Sequence, residues 1–339
     1  MSDLLNRKKI NSLKLRFERE RQKIKIDFFK NIDGTSTCKK NSNLIDKLIR
    51  DFYEVLEKRY DIEKKFIICA VGGYGRRHIA PYSDIDLLFV FDKSYELKLI
   101  KKFVEFILFP LWDLGYKIGY AVRNFEQVGE FSKKDHVIKT SMIDARIISG
   151  SSYVYKKIIV EYEEEIVKTS SKFLEQKIKE RKKKISEFDD NFIKNEPNIK
   201  ESNGSLRDIN LIFWGLKIFK IVRKKLDTKE KSFFKQSEKK KVADALDFLL
   251  TIRCFLHYFS ERQNDKLSFD SQRMIAEKLY LKEKNFNVNK KVELLMKNYF
   301  FQIRVIKNLT KIIINILENR IKEKLILDNF LEKNIDIKK

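Results

Sequence analysis

Residues Phe66 to Phe91, FIICAVGGYGRRHIAPYSDIDLLFVF, constrain the chain most: an apolar run breaks on two glycines, passes Pro81, and re-enters an apolar run carrying two aspartates. Phe66 to Val71 is too short for an independent helix, rich in β-formers and bounded by glycine, which predicts a buried strand. Gly72 and Gly73 allow a sharp turn, and without Cβ atoms they let backbone N–H groups approach an anion closely. Asp84 and Asp86 stand two residues apart at the start of a second predicted strand, Asp84 to Phe91. Period two puts both carboxylates on one face. Two carboxylates at the mouth of an apolar strand repel each other, and a divalent cation removes the conflict. Magnesium suits such a pair, because it binds one or two carboxylates plus substrate phosphates and keeps its remaining ligands as water. The plainer reading of Asp-x-Asp is a solvated turn. The preceding glycine pair argues against it and points to phosphoryl or nucleotidyl transfer.

A strand, Gly-Gly, ten residues, then Asp-Ile-Asp in a second strand resembles the nucleotidyltransferase superfamily that includes DNA polymerase beta. More narrowly, GGYGRRHIAPYSDIDLLF resembles the motif of the bacterial PII uridylyltransferases, a Gly-Gly-Tyr-Gly-Arg loop leading to Pro-Tyr-Ser-Asp-Ile-Asp. The resemblance implies a small mixed-sheet nucleotidyltransferase core followed by an all-α helical domain, an α+β fold. It implies Asp84 and Asp86 as magnesium ligands, and Gly72, Gly73, Arg76 and Ser83 around the phosphates of UTP.

Residues 1–40 form a basic helical arm, 41–150 the nucleotidyltransferase core, 151–325 a helical domain and 326–339 a charged tail. Leu44, Ile45, Leu48, Ile49, Phe52, Val55 and Leu56 follow the spacing of an amphipathic helix over Asn43 to Arg59. Ser94 is placed to cap a helix running towards Pro110. Tyr116, Ile118, Tyr120 and Val122 alternate with Lys117, Gly119, Ala121 and Arg123, which predicts a third strand beside the metal strand. Superfamily members usually carry a third carboxylate on such a strand, and here there is none. Asp113, Asp135 and Asp144 are the nearest substitutes, with Asp135 taken as the catalytic candidate. The family's Gly-His-Ser-Val-Arg strand reads Gly119-Tyr120-Ala121-Val122-Arg123 here, so Tyr120 replaces the family histidine.

KDHVIKTSMIDARIISG, Lys134 to Gly150, resembles the family's Asp, Thr, acid-Ala-Arg, Gly pattern, making Asp144 and Arg146 either secondary site residues or members of a structural ion pair. The basic run Arg181-Lys182-Lys183-Lys184 has no interleaved aromatics and reads as a solvated helix face. Asn195 to Phe213 resembles the family's Glu-Pro-x-Ile-Lys-x-x-x-Gly-Gly-Leu-Arg-Asp element, with Ser205 for the second glycine. Lys200 and Arg207, on a loop and a helix start, are placed to bind phosphate; the alternative is that Arg207 and Asp208 cap and pair locally. Further on, Arg253, Leu256, His257, Arg262, Gln272 and Ala276 match family positions, and core packing or local pairing is their expected role.

Composition adds limits. Of 339 residues 43% are hydrophobic, enough for a core, and the length suits two or three domains of ~100–200 residues. The formal net charge is +24, which ordinarily suggests an anionic partner. The excess is scattered lysine, so nucleic acid is not the expected partner. Cys38, Cys69 and Cys254 give no disulfide framework, and His78, His136 and His257 no zinc pattern. With no N-terminal apolar signal and no apolar run of ~18 residues, a soluble cytoplasmic protein is expected.

The resemblance spans roughly Ile45 to Leu317. It implies transfer of UMP from UTP to a tyrosine of a PII-like nitrogen signal protein, without the hydrolase and sensing domains of full-length members. Other acceptors remain open: an RNA end, a metabolite, or a protein receiving AMP. The alternative from a different class is a catalytically impaired nucleotide-binding regulatory protein.

Overall fold

The computed structural model describes residues 2–60, 66–128, 136–189, 195–225 and 234–336. These fall into two compact units, residues 1–163 with 250–264 and residues 164–249 with 265–339. The fold is α+β, a small mixed sheet in the N-terminal part followed by helices.

In the first unit, α1 (Ser2–Asn31) and α2 (Gly34–Tyr60) precede β1 (Phe66–Ala70), the four-residue turn α3 (Gly72–Gly75) and β2 (Ile85–Phe91). Then come α4 (Leu97–Asp113), β3 (Ile118–Asn124), α5 (His136–Ile143) and β4 (Arg146–Ser149). The strand order is β3-β2-β1-β4. β1 runs antiparallel to β2 and β4, while β2 and β3 are parallel. The predicted third strand therefore lies beside β2 as expected.

Side-chain alternation divides the sheet into two faces. Phe66, Ile68, Ala70, Leu87, Phe89 and Phe91 point to one face and join Phe52 and Leu56 of α2 and Phe103 and Ile107 of α4 in the main core. Leu13 and Phe17 of α1 are buried in the same core. α2 starts earlier than its apolar spacing predicted, because Gly34 lets the chain pass close to α8 (Gln236–Ser260): a Cβ there would lie 2.1 Å from the Thr251 nitrogen. α4 begins after Glu96, not Ser94, and continues through Pro110 to Asp113.

The second unit contains most of α6 (Ser152–Asp189), with α7 (Leu206–Lys225), the first part of α8, α9 (Phe269–Leu279) and α10 (Val288–Asp336). Its loop from Asn195 to Ser205 is held by an antiparallel bridge between Asn198 and Lys266, flanked by bonds from Ile199 N–H to the Asp265 carbonyl and Leu267 N–H to the Pro197 carbonyl.

Candidate functional site

β1 ends at Ala70, and the Val71 N–H donates to the Asp86 carbonyl, so the glycine turn leaves the sheet directly beside Asp86. Gly72 has φ +56, a region costly for other residues. A Cβ on Gly72 would lie 3.1 Å from Asp86 Oδ2, and one on Gly119 would lie 2.6 Å from Asp86 Oδ1. Asp86 pairs with Gly119 in the parallel register of β2 and β3. The Asp86 carboxylate thus lies between two glycines, where an added Cβ on either side would crowd it. A Cβ on Gly73 would meet nothing within 4 Å. That side of the turn is open.

Asp84 stands one residue before β2, and its Oδ1 is buried without a hydrogen-bond partner. A buried carboxylate oxygen left unpaired costs free energy that a bound cation would remove. The Ser83 hydroxyl, on a residue 6% exposed, is likewise buried and unpartnered. Among the described residues no group of three or more His, Cys, Asp or Glu side chains is arranged to hold a metal ion. The donor set that fits magnesium is Asp84 and Asp86, with substrate phosphates and water completing the shell.

No carboxylate joins them from β3. Alternation gives the positions on the Asp86 face to Gly119, Ala121 and Arg123. Tyr120 falls on the opposite face, its ring 6.4 Å from Phe89 and 6.5 Å from Trp112. Of the three substitutes, Asp113 pairs at the surface with Lys14 at 3.1 Å and Asp144 pairs with Arg76. Asp135 lies outside the described residues.

Asp144 and Arg146 form two ion pairs rather than one. Arg76 donates to Asp144, and Arg146 makes a two-pronged contact with buried Asp46, at 2.7 and 3.0 Å. Arg146 also reaches the carbonyls of Tyr74 and Gly75, at 3.4 Å each. A Cβ on Gly75 would lie 2.0 Å from the Asp144 carbonyl. The acid-Ala-Arg run therefore clamps the glycine turn from behind. Arg76, expected near phosphate, is directed to Asp144.

His257 has a placement that its helical spacing did not disclose. It is fully buried on α8, and its Nδ1 accepts the Tyr82 N–H at 3.2 Å, fixing the segment that leads into Ser83 and Asp84. The signal was unreadable locally, because Tyr82 and His257 are far apart in the chain.

His78 closes the turn, donating its N–H to the Gly73 carbonyl at 2.9 Å. Burial pulls its imidazole from the ordinary 6.5 down to about 4, with repulsion from Arg76 and then Arg253 adding to the shift. The unfolded chain therefore takes up this proton at a higher pH than the folded one. The associated stability is complete above pH 6.5 and is lost as pH falls towards 4, by up to ~3 kcal/mol. Urea unfolding across that range should show the loss, and a His78→Asn variant should flatten it.

Lys200 and Arg207 lie in the second unit. Arg207 Nε donates to both Glu201 oxygens, at 3.0 and 3.2 Å. Asp208 does not pair with its neighbour Arg207: it is buried against Arg181, at 2.7 and 2.8 Å, and accepts the Gly204 N–H. Arg181 also donates to the Glu201 and Ser202 carbonyls, at 2.9 and 2.8 Å. It is thus a buried exception in the run expected to be solvated. Ser205 is buried, and its hydroxyl donates to the Lys200 carbonyl at 2.6 Å.

Residues 172–314 match the sequence model of the GlnD PII-uridylyltransferase family. The matched span is less than half of the chain. It contains the Asn195 to Phe213 element and His257, and it excludes the glycine turn and the aspartate pair. The match relates this part of the chain to a family of transferases. Among the described residues no helix is long and apolar enough to cross a membrane.

Proposed function

We propose that the chain transfers UMP from UTP to a tyrosine hydroxyl of a PII-like signal protein, releasing pyrophosphate. The observation that carries this reading is the Asp84 Oδ1, buried and unpartnered, beside an Asp86 carboxylate seated between Gly72 and Gly119. The match of residues 172–314 to the PII-uridylyltransferase family supports the acceptor class.

In the reaction the acceptor oxygen forms a bond to the α-phosphorus, the bond from that phosphorus to the bridging oxygen of pyrophosphate breaks, and the hydroxyl proton is lost to solvent or base. Magnesium held by Asp84 and Asp86 would supply charge neutralisation and acidify the attacking hydroxyl. The open side of Gly73 admits the phosphates. Arg76 is the cation of the first unit proposed to offset phosphate charge, and Asp135 the proposed further acid. The activity is expected in the cytoplasm, with neither membrane nor nucleic acid as partner.

A second reading, a nucleotide-binding regulator with little turnover, draws on one observation: the β3 positions facing Asp86 are Gly119, Ala121 and Arg123. Transfer of label from α-labelled UTP to a purified PII protein, with magnesium and with ATP in parallel, separates the two. Label on the acceptor from UTP supports uridylylation. Label from ATP alone replaces UMP with AMP. Nucleotide binding with no label transferred supports the regulator.

A further inference from the structure

A cleft of about 380 Å³ opens in the first unit beside the segment that leads into Asp84. Tyr82 and Ser83 line it together with Arg21 of α1, the Leu114–Lys117 turn before β3, and Glu261 to Asn264 after α8. The volume lies at the small end of the range for ligand sites. Its lining is cationic: Arg21, Lys117 and Arg262 face a single carboxylate, Glu261, which is itself 3.7 Å from Lys25. Among the described residues neither the Lys117 nor the Arg262 side chain has a carboxylate partner.

The cleft is held in shape. The Arg21 guanidinium lies 4.9 Å above the Tyr82 ring and 5.6 Å above that of Tyr116, so it covers one face of each ring and ties α1 to the cleft wall. The remaining cations of the lining suit recognition by charge and hydrogen bonding. The Ser260 hydroxyl lies 2.9 Å from the Arg262 carbonyl, and Glu261 has φ +50, a conformation a glutamate adopts at a cost. The most telling feature is Ser83: a lining residue, 94% buried on its 6% exposure, whose hydroxyl has no partner. A buried hydroxyl without a partner costs roughly 1–3 kcal/mol, which a ligand oxygen would recover.

We infer that this cleft binds a small anion of the phosphate or dicarboxylate class, held by Lys117, Arg262 and the Ser83 hydroxyl. Because Ser83 directly precedes Asp84, occupancy stiffens the metal-binding segment without contacting the metal; this consequence alone rests on the function proposed above. The amide of Gln263 adds a donor suited to an oxygen-rich ligand.

Isothermal titration of the full chain in EDTA, with inorganic phosphate in one arm and succinate in the other, tests the site. Saturable binding of one of them, weakened at least tenfold in a Lys117→Gln, Arg262→Gln double variant that keeps the wild-type circular dichroism, is the expected result, and the arm that responds names the source. Unchanged binding in Asp86→Asn separates the cleft from the aspartate pair. No saturable binding in either arm, or equal affinity in the double variant, overturns the inference. If anion binding behaves as expected while neither Mn²⁺ binding nor transfer is found, the cleft stands and the transferase reading falls.

Discussion

Replacing Asp86 by Asn should lower nucleotidyl transfer by ~10³-fold or more, equivalent to at least about 4 kcal/mol of transition-state stabilisation, and Asp84→Asn should do the same. Neither variant should unfold, since each amide is nearly isosteric with its acid and relieves a like-charge pair. Gly119→Ala is the sharper test of the geometry. Its Cβ would come 2.6 Å from Asp86 Oδ1, an atom at the free end of a side chain, so the carboxylate can swing aside at small cost to the fold. A displacement of about an ångström at a reacting centre costs on the order of 10²-fold. Circular dichroism and urea midpoint close to wild type, with transfer reduced ~10²-fold, would show that the glycine exists to seat the acid. Full activity in Gly119→Ala would remove Asp86 from the site.

Truncating Arg181 to Ala should be the most destabilising single change in the second unit, at about 3–5 kcal/mol. It leaves Asp208, 1% exposed, with an uncompensated buried charge, and strips donors from the Glu201 and Ser202 carbonyls. The expected signature is a large fall in the urea midpoint of the full chain. An Arg181→Met, Asp208→Leu double variant removes both charges, yet the Gly204 N–H and the Glu201 carbonyl lose their side-chain partners and the Ser202 carbonyl keeps only the Ser205 N–H, so only part of the loss should return. Lys182→Ala is the control from the same basic run. Its ammonium pairs with Glu318 at 2.9 Å and is 60% exposed, and its loss should cost under about 1 kcal/mol.

These two tests fall on opposite sides of what a linear reading can find. The turn from β1 into β2 was legible because its logic is local: apolar runs, adjacent glycines and aspartates two apart dictate strand, turn and strand without reference to distant residues. The alternation of Tyr116 to Arg123 also predicted β3, and its register then made Gly119 the partner of Asp86. That pairing was not legible, since a glycine among alternating residues looks the same whether it is spare or makes room for a carboxylate.

Charge was misleading for the same reason. Arg181 sits among lysines that are solvated, and only the Asn195 to Ser205 loop folding over it makes it a buried donor. Arg207 and Asp208 are neighbours in sequence, but one turns to Glu201 and the other to Arg181.

By itself the sequence determined the strand, glycine turn and strand with its two aspartates, because backbone freedom, strand period and like-charge repulsion act over a few residues; the α+β class came with the resemblance of whole runs to a known family. Tertiary structure alone decided which cations face which acids, Arg76 to Asp144, Arg146 to Asp46 and Arg181 to Asp208, and set the His257 imidazole to accept the Tyr82 N–H. Each partner is chosen by burial and distance in space, where an unpaired polar group costs most, and neither quantity is written in the order of the residues.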